Sequence, residues 1–377
     1  MKNKIHTFVL LLVFLFNVSN LFAYDFEVNG IFYNHIGKDL DVAVTECDGK
    51  YSGNITIPAE VLYDNTKYNV VAIEDEAFWG CYGLTSIIIT EGISRIGKSA
   101  FRYCSHIASI TIPESMESIG EYAFDGCSSL ITINLPKSIK RIPHYLFRGC
   151  ESLDNITLPK DVNFIGNEAF SGCASLSSIA IPEGISSFGN ETFRGCTSIH
   201  SFVFPKNTKV ISTGMFSGCT KLKEITIPEG VNEIRTNAFY GCVALTDFYC
   251  HTKEIPTTEL DIFERSKIEN ATLHVPYQSM EEYKIIVPWQ NFGTIKALSD
   301  EETDVKTITE KNMKIFSSGG KVTITGLGNN RNIRCYSVDG TLLKNLNRKN
   351  GNVEFVAKSG DIVIISVEDK SFKTIVK

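Results

Sequence analysis

Eight cysteines stand at a constant interval of 23 residues, at Cys81, Cys104, Cys127, Cys150, Cys173, Cys196, Cys219 and Cys242. No other feature restricts the chain as much. A fixed period of this size means that each repeat is one supersecondary unit, able to bury its apolar face only by stacking on its neighbours. The chain is therefore expected to coil into a solenoid rather than to divide its 377 residues among two or three compact domains.

The columns beside the cysteines show what the stack buries. Three residues on stand Leu84, Ile107, Leu130, Leu153, Leu176, Ile199, Leu222 and Leu245. Six on stand Ile87, Ile110, Ile133, Ile156, Ile179, Phe202, Ile225 and Phe248, and eight on another apolar column runs from Ile89 to Ile227. The last two columns have the period of two and the β-branched bias of a strand with one buried face. Proline ends that strand at Pro113, Pro136, Pro159, Pro182, Pro205 and Pro228, because it removes a ladder donor. A second apolar pair follows, as in Ile139 and Ile142, long enough only for a turn or a very short strand. Phe101, Phe124, Phe147, Phe170, Phe193, Phe216 and Phe239 predict a stacked aromatic column. Glycine precedes each ladder cysteine except Cys104, where Tyr103 stands, and it is expected to supply a positive φ.

The resulting unit, C-x-x-L-x-x-I-x-I-P-x-x-[IV]-x-x-I-G-x-x-A-F-x-G, resembles the BspA-like leucine-rich repeats of bacterial surface proteins. The likeness covers residues 55–250 directly, and residues 26–58 and 273–295 are similar to the entry and exit caps of that family. It implies a mainly β, right-handed leucine-rich-repeat solenoid with a cap at each end. Ser279 and Glu282 form an S-x-x-E pair, which predicts a capped short helix in the exit cap. After an acidic stretch at 300–304, short alternating runs separated by Gly, Asn and Asp predict a small C-terminal antiparallel β-sandwich. This tail is similar to the sorting domains of the type IX secretion pathway. It departs from them at 358–363, K-S-G-D-I-V, where the leading apolar residue and the tyrosine of their motif are missing. The expected order is a signal peptide at 1–23, an N-terminal cap at 24–72, a solenoid with its C-terminal cap at 73–297, a linker at 298–312 and the β-domain at 313–377.

Residues 8–16 read FVLLLVFLF behind Lys2 and Lys4, the pattern of a secretory signal. Nine apolar residues fall short of the roughly 20 that a membrane-spanning helix needs. No later stretch is longer or more apolar, so no transmembrane segment is expected in the mature chain. The formal charge is −6, yet residues 305–377 carry 13 Lys or Arg against 6 Asp or Glu, which leaves an acidic body. An acidic body argues against a nucleic-acid partner, whose phosphates attract clustered Lys and Arg.

The ladder cysteines are read as structural, buried, free thiols. Stacked strands lie about 4.8 Å apart with side chains pointing the same way, a poor approach for a disulfide. No C-x-x-C or paired-histidine spacing provides a metal site. Cys47, Cys250 and Cys335 lie off the ladder, open to solvent, and their pairing is not fixed by the sequence. Glu91, Glu114, Glu183 and Glu229 recur at an outer turn where other repeats carry Lys137, Lys160 and Lys206, the mixture of a solvated edge. The six histidines of the mature chain stand apart, and no nucleophile elbow, phosphate loop or dinucleotide fingerprint is present. A non-enzymatic protein with no cofactor, metal or catalytic residue is expected.

Two surfaces are left for binding. One is the outward strand face seven positions after each cysteine: Ile88, Thr111, Asn134, Thr157, Ala180, Val203, Thr226 and Tyr249. Apolar Ile88 and Val203 and aromatic Tyr249 stand out there among small polar residues. The other is an aromatic row near the turns, Trp79, Tyr103, Tyr122, Tyr145 and Tyr240. The resemblance implies adhesion from the outer surface of a bacterium, or after secretion, to an extracellular or host-matrix protein. A glycan ligand and a purely structural spacer are the alternatives.

Overall fold

The computed structural model describes residues 24–37, 39–46 and 51–298, and in the tail 308–310, 313–318, 321–325, 331–337, 342–348, 353–357, 362–367 and 370–375. The expected signal peptide, Cys47, most of the expected linker and residues 358–361 of the stretch compared with the sorting motif lie outside the described residues. Met1–Lys296 and Ala297–Lys377 form two compact units.

The first unit is a β-solenoid of about ten turns with little helix. On its strand side the 23-residue period becomes a parallel register in which Ile87 pairs with Ile110, Ile110 with Ile133 and Ile133 with Ile156. The second apolar pair forms strands of two residues, such as Arg95–Ile96 beside Ser118–Ile119. Between these sides Gly189 lies so close to the preceding turn that a Cβ there would come within 2.2 Å of the Asn167 nitrogen.

The third side, where Phe, Gly and Cys form the turn, is tied most regularly. The amide of each phenylalanine donates to the next repeat, from Phe78 to the Ala100 carbonyl at 2.7 Å through to Phe239 to the Ile262 carbonyl at 2.9 Å. The phenylalanine carbonyl in turn accepts the amide of its own cysteine, at 3.1 Å between Cys104 and Phe101. Its second lone pair takes the cysteine thiol of the next repeat. Cys104 Sγ donates to Phe78, Cys150 to Phe124 and Cys242 to Phe216, at 2.9, 3.2 and 3.3 Å. The thiols are thus donors, and not merely small fillers. The rings stack at centroid distances of 4.9 Å for Phe78 on Phe101 and 5.8 Å for Phe216 on Phe239.

The turn needs two left-handed residues per repeat. One is the expected glycine before the cysteine, as at Gly149 with φ 70°, and Tyr103 takes the same conformation at 61°. The other lies five before the cysteine and is occupied by Glu76, Ser99, Tyr122, Tyr145, Glu168, Glu191, Gly214 and Asn237. Only one of these eight is glycine, so residue type gave no sign of it.

The strand side differs from expectation in one repeat. A five-stranded sheet ends at Asn155–Thr157 and a second begins at Ser201–Val203, while residues 178–180 between them form no strand. Here Phe188 stands where other repeats carry isoleucine, and Phe202 and Phe204 replace the two aliphatic strand residues of the next repeat. These rings meet each other and those of Phe193 and Phe216 at 4.8–6.4 Å. They fill the interior, and Ile179 is left half-buried although its counterparts Ile110, Ile133 and Ile156 are buried. Ala180 therefore does not sit on the strand predicted for it.

At the far end the ladder continues by one repeat of 24 residues. Phe263 stacks on Phe239 at 5.6 Å, and the Ser266 hydroxyl replaces the thiol, donating to the Phe239 carbonyl at 2.5 Å. A helix is present at Met280–Tyr283, but the predicted capping box is not formed. Ser279 Oγ donates to the Lys253 carbonyl and so ties the segment to the repeat beneath it. Cys250, expected off the ladder, is buried in the column eight after Cys242, within hydrogen-bond distance of Thr252 Oγ1 and Tyr283 OH at 3.2 and 3.3 Å.

In the second unit the described strands form two four-stranded antiparallel sheets. Ile315, Val322, Ile324 and Phe355 of one join Ile333, Cys335, Val363 and Ile365 of the other in a single buried cluster. Cys335 is consequently buried rather than exposed. Its first strand, Ile308–Glu310, falls inside the stretch expected as a linker.

Candidate binding surfaces

Of the strand-face residues, Ile88, Thr111, Asn134, Thr157, Ala180 and Val203 are exposed, whereas Thr226 and Tyr249 are half-buried. Within each of the two sheets neighbouring strands keep one register, and the face is polar because small hydroxyl and amide side chains fill most of it. Val203, 64% exposed, is the clearest apolar site on it. Tyr249 is drawn into a stack with His274 of the following turn, with ring centroids 4.3 Å apart and planes at 15°. His274 Nε2 lies 2.9 Å from Asp247 Oδ1. His274 thus extends the outward column beyond Tyr249, in register with it. The end of the face is an ordered Tyr–His–Asp group.

The acidic outer turn is also more structured than a solvated edge. Glu91 accepts the amides of Glu114 and Ser115 in the next repeat at 3.1 and 3.0 Å, and these bonds hold its carboxyl below the usual carboxylate range. Glu183 accepts the Lys206 amide in the same way, at 3.3 Å.

The BspA-type leucine-rich-repeat family model matches in six copies, over residues 71–200 and 189–286. This chain belongs to the BspA-type leucine-rich-repeat family. Among solved structures, a leucine-rich repeat protein from Bacteroides ovatus is similar at 28% identity and a TM-score of 0.61, over 73% of this chain and 77% of that one. The T. pallidum leucine-rich repeat protein is 26% identical with a TM-score of 0.41, over 59% of this chain and 90% of its own. A leucine-rich cell surface protein from Faecalibacterium prausnitzii is 20% identical with a TM-score of 0.33, over 74% and 95%. No curated protein matches.

Within this BspA-type repeat the turn edge carries a denser chemical group than the strand face. The Asp125 side chain, 3% exposed, accepts Arg102 Nε at 2.8 Å and Arg148 Nε and Nη2 at 2.9 and 2.8 Å. One buried carboxylate thus holds two guanidinium groups from the repeats on either side, and its hydrogen bonds push the Arg148 pKa upward. Each guanidinium also lies over tyrosine rings. Arg102 is 4.7 Å from Tyr103 and 5.0 Å from Tyr122, and Arg148 is 5.4 Å from Tyr122 and 4.9 Å from Tyr145. Tyr122 and Tyr145 stack at 4.3 Å and 8°, and desolvation together with their hydrogen bonding raises the Tyr145 pKa. Beside them Trp79, Tyr82 and Tyr103 are 46%, 58% and 38% exposed. Tyr240 stands apart at the other end, with Arg265 5.5 Å from its ring. The aromatic row read from the sequence is therefore concentrated in the first four cysteine repeats, and Tyr82 belongs to it. Asp125 was not recognisable as its anchor, because no other repeat has an acid two residues before the cysteine.

Proposed function

We propose that this protein is a secreted or surface-displayed, non-enzymatic binding protein of a bacterium, whose strand face engages an extracellular or host-matrix protein. Membership of the BspA-type family supports a cell-surface binding role. The observation that favours a protein partner is the strand face itself, formed mostly of small side chains and marked by isolated exposed aliphatics at Ile88 and Val203. Small side chains admit the close approach of a second protein backbone, and the aliphatics provide the apolar contact that such interfaces bury at their centre. In this reading the coil is right-handed, residues 24–72 and the segment ending at 297 cap it, the tail is a small sandwich that serves in sorting, and residues 1–23 are removed on export. Among the described residues no helix is long and apolar enough to cross a membrane.

The test is saturable binding of the full chain to immobilised matrix proteins, compared with that of a Val203→Asp variant. Saturable binding that falls about tenfold or more in the variant supports the proposal, on the scale expected for a charge placed in an apolar contact. A chain that binds no matrix protein saturably is a spacer, and the proposal then fails.

A further inference from the structure

The first residues of the solenoid close one of its two β sides and leave the other open. On the second side, Asp41–Val44 pairs with Thr66–Ile73 and is followed outward by Ile31–His35 and Phe26–Val28, so three further strands shield that ladder. On the strand side the ladder begins at Ser52–Ile57, which pairs with Gly83–Ile89 and with no strand beyond it. In a parallel pair, part of each strand's amides and carbonyls point to the partner and the rest point away from it. Outside that pairing, the Ile57 carbonyl accepts from Thr90, and no other main-chain group of Ser52–Ile57 has a partner among the described residues.

This edge lacks the usual defences. A charge, a proline or a very short length normally discourages a further strand. Ser52–Ile57 has six residues, none of them charged and none of them proline, and the bulge at Gly53 leaves Asn54–Ile57 in regular pairing. The other strand-side edges differ. Thr294–Ala297 at the exit end carries the exposed Lys296 and runs directly into the second unit. Asn155–Thr157 and Ser201–Val203 are three residues long, with one repeat between them.

Beside the open edge lies a groove of about 610 Å³, between Ser52–Ile57 and the hairpin of Phe26–Val28 and Ile31–His35. Val28, Ile31, Phe32, Ile55, Pro58 and Val61 give it apolar walls, and among the described residues no charged side chain lines it.

We propose that this groove takes an extended peptide segment of a partner protein, which pairs with Ser52–Ile57 as a sixth strand of the first strand-side sheet. The open ladder selects the occupant, because another main chain carries donors and acceptors at the spacing of a strand edge, about 3.3 Å per residue. The walls select its side chains. Every second residue of the segment points into the groove and is apolar, since a charge buried there would find no partner. The site uses the main chain at the sheet's edge, not the outward side chains of the strand face, and does not rest on the partner proposed for that face.

The probe is the capped peptide acetyl-SVTVTVKK-amide, with valine at alternate positions and two lysines for solubility, titrated into the full chain while amide hydrogen exchange is followed. The proposal predicts a saturable slowing of exchange by about tenfold or more within residues 52–57. N-methylation of every second residue of SVTVTV removes the donors from one edge of the peptide and leaves its side chains in place. Of the two alternations, one abolishes the effect and the other retains it. Val28→Lys places a charge in the groove outside the ladder and should weaken binding by about tenfold. Absence of saturable slowing at 52–57 overturns the proposal, and so does binding that both N-methylated peptides retain, since the contact then does not run through the main chain. Slowing at 52–57 that appears with rising protein concentration and no peptide assigns the edge to a second copy of this chain and also overturns it.

Discussion

The turn edge and the strand side of the solenoid are formed from the same 23-residue period, yet only one of them is continuous. Along the turn edge every phenylalanine amide from Phe78 to Phe239 reaches the next repeat, the rings stack without a break, and a thiol or hydroxyl closes each step. Along the strand side the ladder stops at Thr157 and resumes at Ser201. The difference lies in what each side asks of a residue. The turn ladder uses backbone groups, a ring and a small donor, all of which the period preserves exactly in register. The strand ladder also requires that neighbouring repeats bury side chains of matching size, and Phe188, Phe202 and Phe204 do not match.

The largest consequence concerns the rings. Phe147→Ala, in the middle of the stack, should lower stability by about 3–5 kcal/mol in urea denaturation. Thr157→Ala on the exposed strand face should change it by less than about 0.5 kcal/mol. Equal losses would remove the distinction between the two sides.

A second consequence arises from the buried thiols. Desolvation pushes Cys127, Cys150, Cys173 and Cys219 well above the usual 9.0, with neighbouring thiols adding to the effect, and it pushes Cys242 up to about 12. Below pH 9 the thiols are protonated in both folded and unfolded chains and have no effect on pH dependence. Above it the unfolded chain ionises while the folded one does not, so unfolding releases protons and stability falls as pH rises. Each buried thiol contributes about 1.4 kcal/mol per pH unit to that loss until its folded pKa is reached. Urea midpoints measured at about pH 8 and about pH 10 should show a steep fall, and a variant with three ladder cysteines changed to alanine should show a shallower one. A flat profile in the parent chain would mean that the thiols are accessible.

The smallest effect separates a donor from a filler. Cys150→Ala loses the bond to the Phe124 carbonyl and should cost about 1–2 kcal/mol. Cys150→Ser keeps a donor, as Ser266 does naturally, and should cost less. If serine proves worse than alanine, the thiol serves only as apolar volume.

Much of this architecture was legible from the cysteines and the columns beside them, because a solenoid turns sequence period directly into spatial register. The interruption was not, since Leu176, Ile179, Ile181 and Pro182 keep the consensus and the cause lies in Phe188 and in Phe202 and Phe204 of the next repeat. Cys250 was legible but missed: counted by the columns rather than by the ladder, it falls in the apolar position eight after Cys242. The left-handed position filled by Tyr122 and Tyr145 carries no residue signature, because the fold imposes the conformation on whatever stands there. Asp125 departs from the repeat, and its significance depends on Arg102 and Arg148 lying on either side, a relation visible only once the coil is formed.

Amide hydrogen exchange of the native chain tests the central contrast most directly. The account predicts that Phe170, Phe193 and Gly195 exchange as slowly as Phe101 and Phe124, while residues 178–181 of the same repeat exchange much faster than their counterparts at 132–135. Protection at 178–181 equal to that at 132–135, or loss of protection at Phe193 and Gly195 along with them, would contradict it.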